Sequence, residues 1–284
     1  MPNGLIMQMM GVAINLSRSC LAMLVLLFVC ASTALAQGQV PAQGWPAPPK
    51  IAATSWMLID ATTGQTLASN NADQPIAPAS LTKLMTAYLT FSALRERKIR
   101  LDQNVAAPPE SEVPQGARMF LQPGKNVSAA ELVQGLITLN AHDAAIALAK
   151  TISGSEVAFV ELMNKPAERF GMQGARIVNA TGASHPDHRS TVSDLIKLSL
   201  SLIQEFPEQL REFSRREMTY NGIRQVNRNR LLWLDNSVDG LMTGRSEEEG
   251  FAIAISANRP QPLGTKERIQ LRLVAIIAVA KTEE

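Results

Sequence analysis

Apolar residues follow a strand-like pattern at the two ends of the chain and a helical period between them. Residues 55–60 (SWMLID) read as a strand, 61–64 as a turn and 65–69 as a returning strand, which makes a hairpin. Pro78-Ala79-Ser80 opens a helix in which Leu81, Leu84, Met85, Tyr88, Leu89 and Leu94 recur at helical spacing, and the charged run 95–100 ends it. Residues 101–200 read as mainly helical and irregular. Ser128 with Glu131 is a capping-box pattern ahead of Leu132, Leu136, Ile137 and Leu139. After a break at 140–143 a second apolar run covers 144–149, and a further helix over 193–206 is stopped by Pro207. Strand patterns return at 238–243, 251–257 and 271–279. The last of these, within LRLVAIIAVA, is nearly all apolar, as a central strand buried on both faces would be. Strands at both ends with helices between predict one sheet completed by both ends of the chain.

The N-terminal segment has a different character. Arg18 is its single charge, the apolar stretch 21–34 follows, and Ala34-Leu35-Ala36 precedes Gln37. That order reads as an export signal over 1–36, with cleavage after Ala36. Both cysteines, Cys20 and Cys30, fall inside it, so the mature chain relies on its core rather than on disulfides. Residues 37–50 (QGQVPAQGWPAPPK) carry four prolines and two glycines. The expected organisation is therefore a signal peptide over 1–36, a Pro/Gly-rich tether over 37–53 and one domain over 54–284. Export without a later anchor predicts a periplasmic protein with no membrane attachment after cleavage.

Composition narrows the class of function. Hydrophobic residues make up 46% of the 284 and charged residues 18%, which excludes a largely disordered chain and a helical membrane bundle. Lys plus Arg is 27 against 25 for Asp plus Glu, and aromatics are 5%. Neither figure supports nucleic acid as a partner. No spacing among His142, His185 and His188 suggests a metal site, and no cofactor is expected.

The chemistry-bearing element is Ser80-Leu81-Thr82-Lys83, an S-x-x-K pattern. On a helix, residues three apart share one face. A serine hydroxyl needs a base to become a nucleophile, and a lysine serves once burial lowers its pKa. By itself the pattern is weak; a serine cap beside a solvated lysine gives the same letters.

Its context is more specific. Ile76-Ala77-Pro78-Ala79-Ser80-Leu81-Thr82-Lys83-Leu84-Met85-Thr86 resembles the low-molecular-weight penicillin-binding serine D-alanyl-D-alanine carboxypeptidases. The resemblance continues at Gly116-Ala117-Arg118-Met119-Phe120-Leu121, at Asn227-Arg228-Asn229-Arg230-Leu231-Leu232-Trp233 and at Val238-Asp239-Gly240, covering nearly all of 54–280 in order. It implies an α+β fold: a five-stranded antiparallel sheet flanked by helices, an all-helical lobe facing it, and the site between them. It also implies a peptidoglycan pentapeptide as substrate, an acyl-enzyme on Ser80 with Lys83 as base, and β-lactams as acylating ligands. Many relatives continue into a closing helix, a small β domain and a membrane anchor. Here the chain stops soon after the last strand, so the domain is expected to lack the C-terminal β domain and to be truncated at that end.

Two family motifs are altered. Where the family has Ser-x-Asn, this chain has Asn140-Ala141-His142, and where it has Lys-Thr-Gly, this chain has Met242-Thr243-Gly244, followed by Arg245. An asparagine is not a practical proton shuttle, and a methionine carries neither charge nor donor. The expected catalytic set is Ser80, Lys83 and Asn140, with His142, Met242, Thr243, Gly244 and Arg245 binding substrate. The resemblance places the oxyanion hole at the backbone amides of Ser80 and Arg245. The expected function is a carboxypeptidase with reduced turnover. The alternative is a non-catalytic paralogue that binds peptidoglycan or a cell-wall partner. A β-lactamase would need a placed deacylating carboxylate, and none is identifiable.

Overall fold

Ala53–Asp60 forms β1, and Asp60 ends it by accepting from Thr62 N and Thr63 Oγ1, both at 2.8 Å. This local turn returns the chain as β2, Thr66–Asn70. The computed structural model describes residues 48–246, 250–262 and 268–281; the expected export signal and residues 37–47 of the tether lie outside the described residues. A one-turn 3₁₀ segment, Ala79–Thr82, leads directly into α1, Lys83–Arg95. Nine of its thirteen residues are buried, so α1 runs through the interior rather than along a surface.

A small hairpin follows, β3 (Asn104–Ala106) with β4 (Asn126–Ser128). Ser128 then caps α2, Ala129–Thr138, in the expected box with Glu131. After a short break comes α3, His142–Ser153, closed by Gly154 at φ +82°. Next is α4, Glu156–Arg169, which the sequence pattern did not single out and which carries Pro166 within it. Thr191 caps α5, Val192–Glu205, by accepting from Asp194 N. Behind α1, Tyr88 stacks edge-on to Phe170 and Phe206 and its hydroxyl donates to Glu205. A short helix α6 (Leu210–Phe213), a hairpin of β5 (Glu217–Tyr220) and β6 (Ile223–Val226), and a short α7 (Leu231–Leu234) return the chain to the sheet.

Four more strands complete it: β7 (Val238–Gly240), β8 (Thr243–Ser246), β9 (Gly250–Pro262) and β10 (Arg268–Ala280). The order is β2-β1-β10-β9-β7, antiparallel throughout, with β8 also paired to β9. β7 meets Ala257 and Ser256 while β8 meets Gly250 through Ile253, so the two share one edge and the sheet is five positions wide. The expected single strand over 238–243 is thus two, broken before Thr243. β10 is central, as its apolar sequence predicts. Only one of its faces is fully buried: Val274, Ile276 and Ala278 are inside, while Leu273, Ala275 and Ile277 are half-buried. Among the described residues no helix is long and apolar enough to cross a membrane.

Candidate active site

The turn bearing Ser80 is held from behind by residues 176–191. Ile76 and Ser190 exchange two backbone hydrogen bonds at 2.9 and 3.0 Å. Ala79 sits at φ +45°, in the left-handed region that an alanine rarely adopts. Gly182 explains how that is tolerated. A Cβ there would lie 1.8 Å from the Ala79 carbonyl oxygen, so only a glycine admits so close a backbone. Thr82 Oγ1 lies 3.0 Å from His188 Nε2, and Thr86 Oγ1 donates to Ala180 O at 2.7 Å. The loop itself is organised by Asn179, whose Oδ1 accepts from Thr181 N, Thr181 Oγ1, Gly182 N and Ala183 N. Strain at Ala79 is therefore over-determined by its surroundings.

Ser80 is half-buried and Lys83 is fully buried at the first residue of α1. Lys83 Nζ lies 3.1 Å from Ser80 Oγ and donates to Thr181 O at 2.5 Å. Burial, reinforced by the Arg228 charge, pulls the ammonium down from 10.5 to about 7. At neutral pH a large share of Lys83 is then a free amine with a lone pair beside the serine hydroxyl. S-x-x-K brings the two side chains together through a 3₁₀ turn rather than through the expected α-helical face.

The altered second motif lies between α2 and α3. Asn140 is at φ +57°, a conformation asparagine accepts more readily than most residues. Its Nδ2 donates to Thr243 O at 3.0 Å and to Thr243 Oγ1 at 3.2 Å, joining the helical lobe to β8. His142 is buried, and its ring packs so closely on Gly116 that a Cβ there would meet Cε1 at 2.6 Å. Burial first, then the Lys83 charge, lower the imidazole to about 3; a hydrogen bond to the Pro114 backbone opposes them, and Arg118 and Arg228 add to the lowering. The ring is neutral at physiological pH. Asp143, next in sequence, accepts from Met119 N at 3.1 Å and Leu121 N at 3.0 Å. Residues 142 and 143 together therefore fix the 116–121 loop against α3.

Gly244 runs beside Ser80: a Cβ there would stand 3.5 Å from Ser80 N. Thr243 is half-buried and Arg245 exposed, its guanidinium 5.2 Å from the Phe251 ring. Met242 is 1% exposed and belongs to the hydrophobic core, so it presents no surface to a ligand. The structure thus brings Ser80 to Lys83, and Asn140 to Thr243 and the strand flanking Ser80. It sets Met242 inside and Arg245 at the surface.

Sequence reasoning did not single out Arg228, Thr181 or Asn179 as site residues. A signal for Arg228 exists in its neighbours. Asn227 and Asn229 are buried and bind backbone groups, which turns the intervening arginine out of the core.

An α+β fold that sets a serine hydroxyl beside a buried lysine amine has the arrangement an active-serine acyl-transfer enzyme needs. The chain belongs to the D-alanyl-D-alanine carboxypeptidase family, whose profile it matches over residues 42–263. It is 36% identical over 264 residues to the D-alanyl-D-alanine carboxypeptidase DacC of Escherichia coli, covering 90% of this chain and 62% of that one. Penicillin-binding protein 5 of Haemophilus influenzae superposes with a TM-score of 0.77 at 34% identity, covering 84% of this chain and 68% of that one. The ampicillin-bound form of penicillin-binding protein D2 of Listeria monocytogenes gives 0.73 at 27% identity, covering 84% and 93%. The chain spans about three fifths of the length of the curated DacC relative.

Proposed function

We propose that the protein is an exported serine D-Ala-D-Ala carboxypeptidase acting on peptidoglycan stem peptides, with slow turnover. The observation that carries this reading is the 3.1 Å approach of Ser80 Oγ to a fully buried Lys83 Nζ. Neutral Lys83 takes the Ser80 proton as Oγ bonds to the carbonyl carbon between the two D-alanines. The backbone N–H groups of Ser80 and Arg245 receive the oxyanion, as the family resemblance implies and as the approach of β8 to Ser80 N supports. The tetrahedral adduct collapses, the C–N bond breaks, and D-alanine leaves with the proton from Lys83. Water then hydrolyses the acyl-enzyme.

Slow turnover follows from two substitutions. Asn140 carries no transferable proton where the family has a serine, and Met242 puts no cation where the family has a lysine. Losing one preorganised electrostatic contact costs about 10²–10³ in rate. A second reading, a peptidoglycan-binding protein without turnover, is favoured by the burial of Met242 in the core. Labelling with a fluorescent penicillin decides between them. The carboxypeptidase reading requires labelling that disappears in Ser80→Ala and release of D-alanine from a D-Ala-D-Ala peptide. A folded protein that does neither but sediments with peptidoglycan is the binding protein.

A further inference from the structure

Asn140 stands where the family has a serine, and its geometry gives it a specific task. Its amide orientation is fixed by its partner: the Thr243 carbonyl can only accept, so the group facing it must be the NH2. The same Nδ2 reaches Thr243 Oγ1 at 3.2 Å. Its Oδ1 is buried with no hydrogen-bond partner among the described residues. Among the described residues every protein hydrogen bond of the Asn140 side chain therefore ends on Thr243.

The consequence falls on the threonine hydroxyl. A hydroxyl that accepts from an amide directs its own hydrogen away from that donor. Thr243 is half-buried, and among the described residues its O–H has no protein acceptor. Along β8, residues two apart share a face, which puts Thr243 and the exposed Arg245 on the same side. Arg228 adds a second positive charge near enough to Lys83 and His142 to lower both. The ligand side of this strand is thus an O–H donor flanked by cations, which suits an anionic terminus. Met242, inside the core, contributes nothing to it.

We propose that Asn140 is a positioning residue: by donating to Thr243 Oγ1 it presents the threonine hydroxyl as a donor to the terminal carboxylate of the ligand. This rests on the carboxypeptidase reading above, in which the substrate ends in a free carboxylate. The role is specificity rather than proton transfer. Asn140 sets how strongly the site distinguishes a carboxylate from its neutral carboxamide.

The test is a double-mutant cycle on that distinction. The full chain carrying Ser80→Ala, which leaves ligands intact, is titrated by calorimetry with diacetyl-L-Lys-D-Ala-D-Ala and with its C-terminal carboxamide. The parent is expected to bind the carboxylate about tenfold more tightly, the worth of one hydrogen bond to a charged group. Asn140→Gly, which suits φ +57°, is expected to reduce that ratio about threefold to fivefold, the larger loss falling on the carboxylate. In a Thr243→Val background the same Asn140→Gly change is expected to leave the ratio alone, and Thr243→Ser should keep both the ratio and its dependence on Asn140. Asn140→Ala provides a second variant should the glycine loosen the loop, with thermal melting confirming the fold of each. A parent without preference for the carboxylate overturns the carboxypeptidase reading and the proposal with it. A preference that survives Asn140→Gly, or falls equally with and without the Thr243 hydroxyl, overturns the positioning role alone.

Discussion

The burial of Lys83 makes a quantitative statement about stability. Its pKa is about 7 in the folded protein against 10.5 when free. Between these values the unfolded chain binds a proton that the folded one does not, so stability rises with pH across the window. The sign is opposite to that of a paired surface lysine: the cost of burying the ammonium is fully present below pH 7 and gone above 10.5. Linkage puts the gain between pH 7 and pH 9 at about 2 kcal/mol. For a domain of this size that corresponds to roughly 4–8 °C in Tm. His142 and His188 titrate well below this range, and Tyr88 and Tyr220 are raised above 10.0, so among the shifted groups of the described residues Lys83 is isolated in it. Lys83→Met keeps the length of the side chain and removes the titration. The assay is thermal unfolding of wild type and Lys83→Met at pH 7 and pH 9. Wild type should gain Tm over this interval and the variant should not, with the variant the more stable of the two at pH 7. Equal pH dependence in the two proteins would refute this, because the gain would then come from groups other than Lys83.

Three further outcomes are expected. Gly182→Ala forces a methyl group into the Ala79 carbonyl and must displace the turn bearing Ser80, so penicillin labelling should slow about 10²-fold, read from a time course. Asp143→Ala leaves three backbone N–H groups without their acceptor, those of Met119 and Ala144 in a buried setting, and should cost about 3 kcal/mol in urea unfolding, with Asp143→Asn costing less. His142 and His188, lowered by burial to about 3 and about 4, must take up protons late, so stability falls as pH drops below 6.5. The fall should be about 1.5 kcal/mol per histidine between pH 6.5 and 5, and His188→Asn should remove close to half of it.

Local chemistry was legible in the sequence wherever one short segment sufficed to specify it. The Ser128–Glu131 box, the hairpin turned by Asp60 and the apolar run that became β10 all follow from neighbours in the chain. What escaped depends on distant partners. The S-x-x-K letters cannot show that the turn carrying Ser80 is 3₁₀, because that is imposed by Gly182 and the carbonyl of Thr181, a hundred positions away. Asn140 reads as a failed proton relay until Thr243 appears opposite its amide. Met242 reads as part of the site because its motif is; the break between β7 and β8 and the packing around it put the side chain in the core. Pro166 is unfavourable within a helix, and α4 is stabilised instead by packing of its buried neighbours Met163 and Ala167.

The sheet's connectivity has a kinetic corollary. Its central strand is the last one made, and it pairs Ala53 with Ala280 across almost the entire domain. Until β10 emerges, β1 and β9 have no bridge between them and each presents an open edge. Folding is therefore governed by a closure of very high contact order, slow relative to the helical interior around α1. The helices can collapse early, but the strand that lies against Ser80 belongs to the half that waits. A chain interrupted between β9 and β10 would hold its helices complete beside two unsatisfied strand edges, the state from which such proteins aggregate.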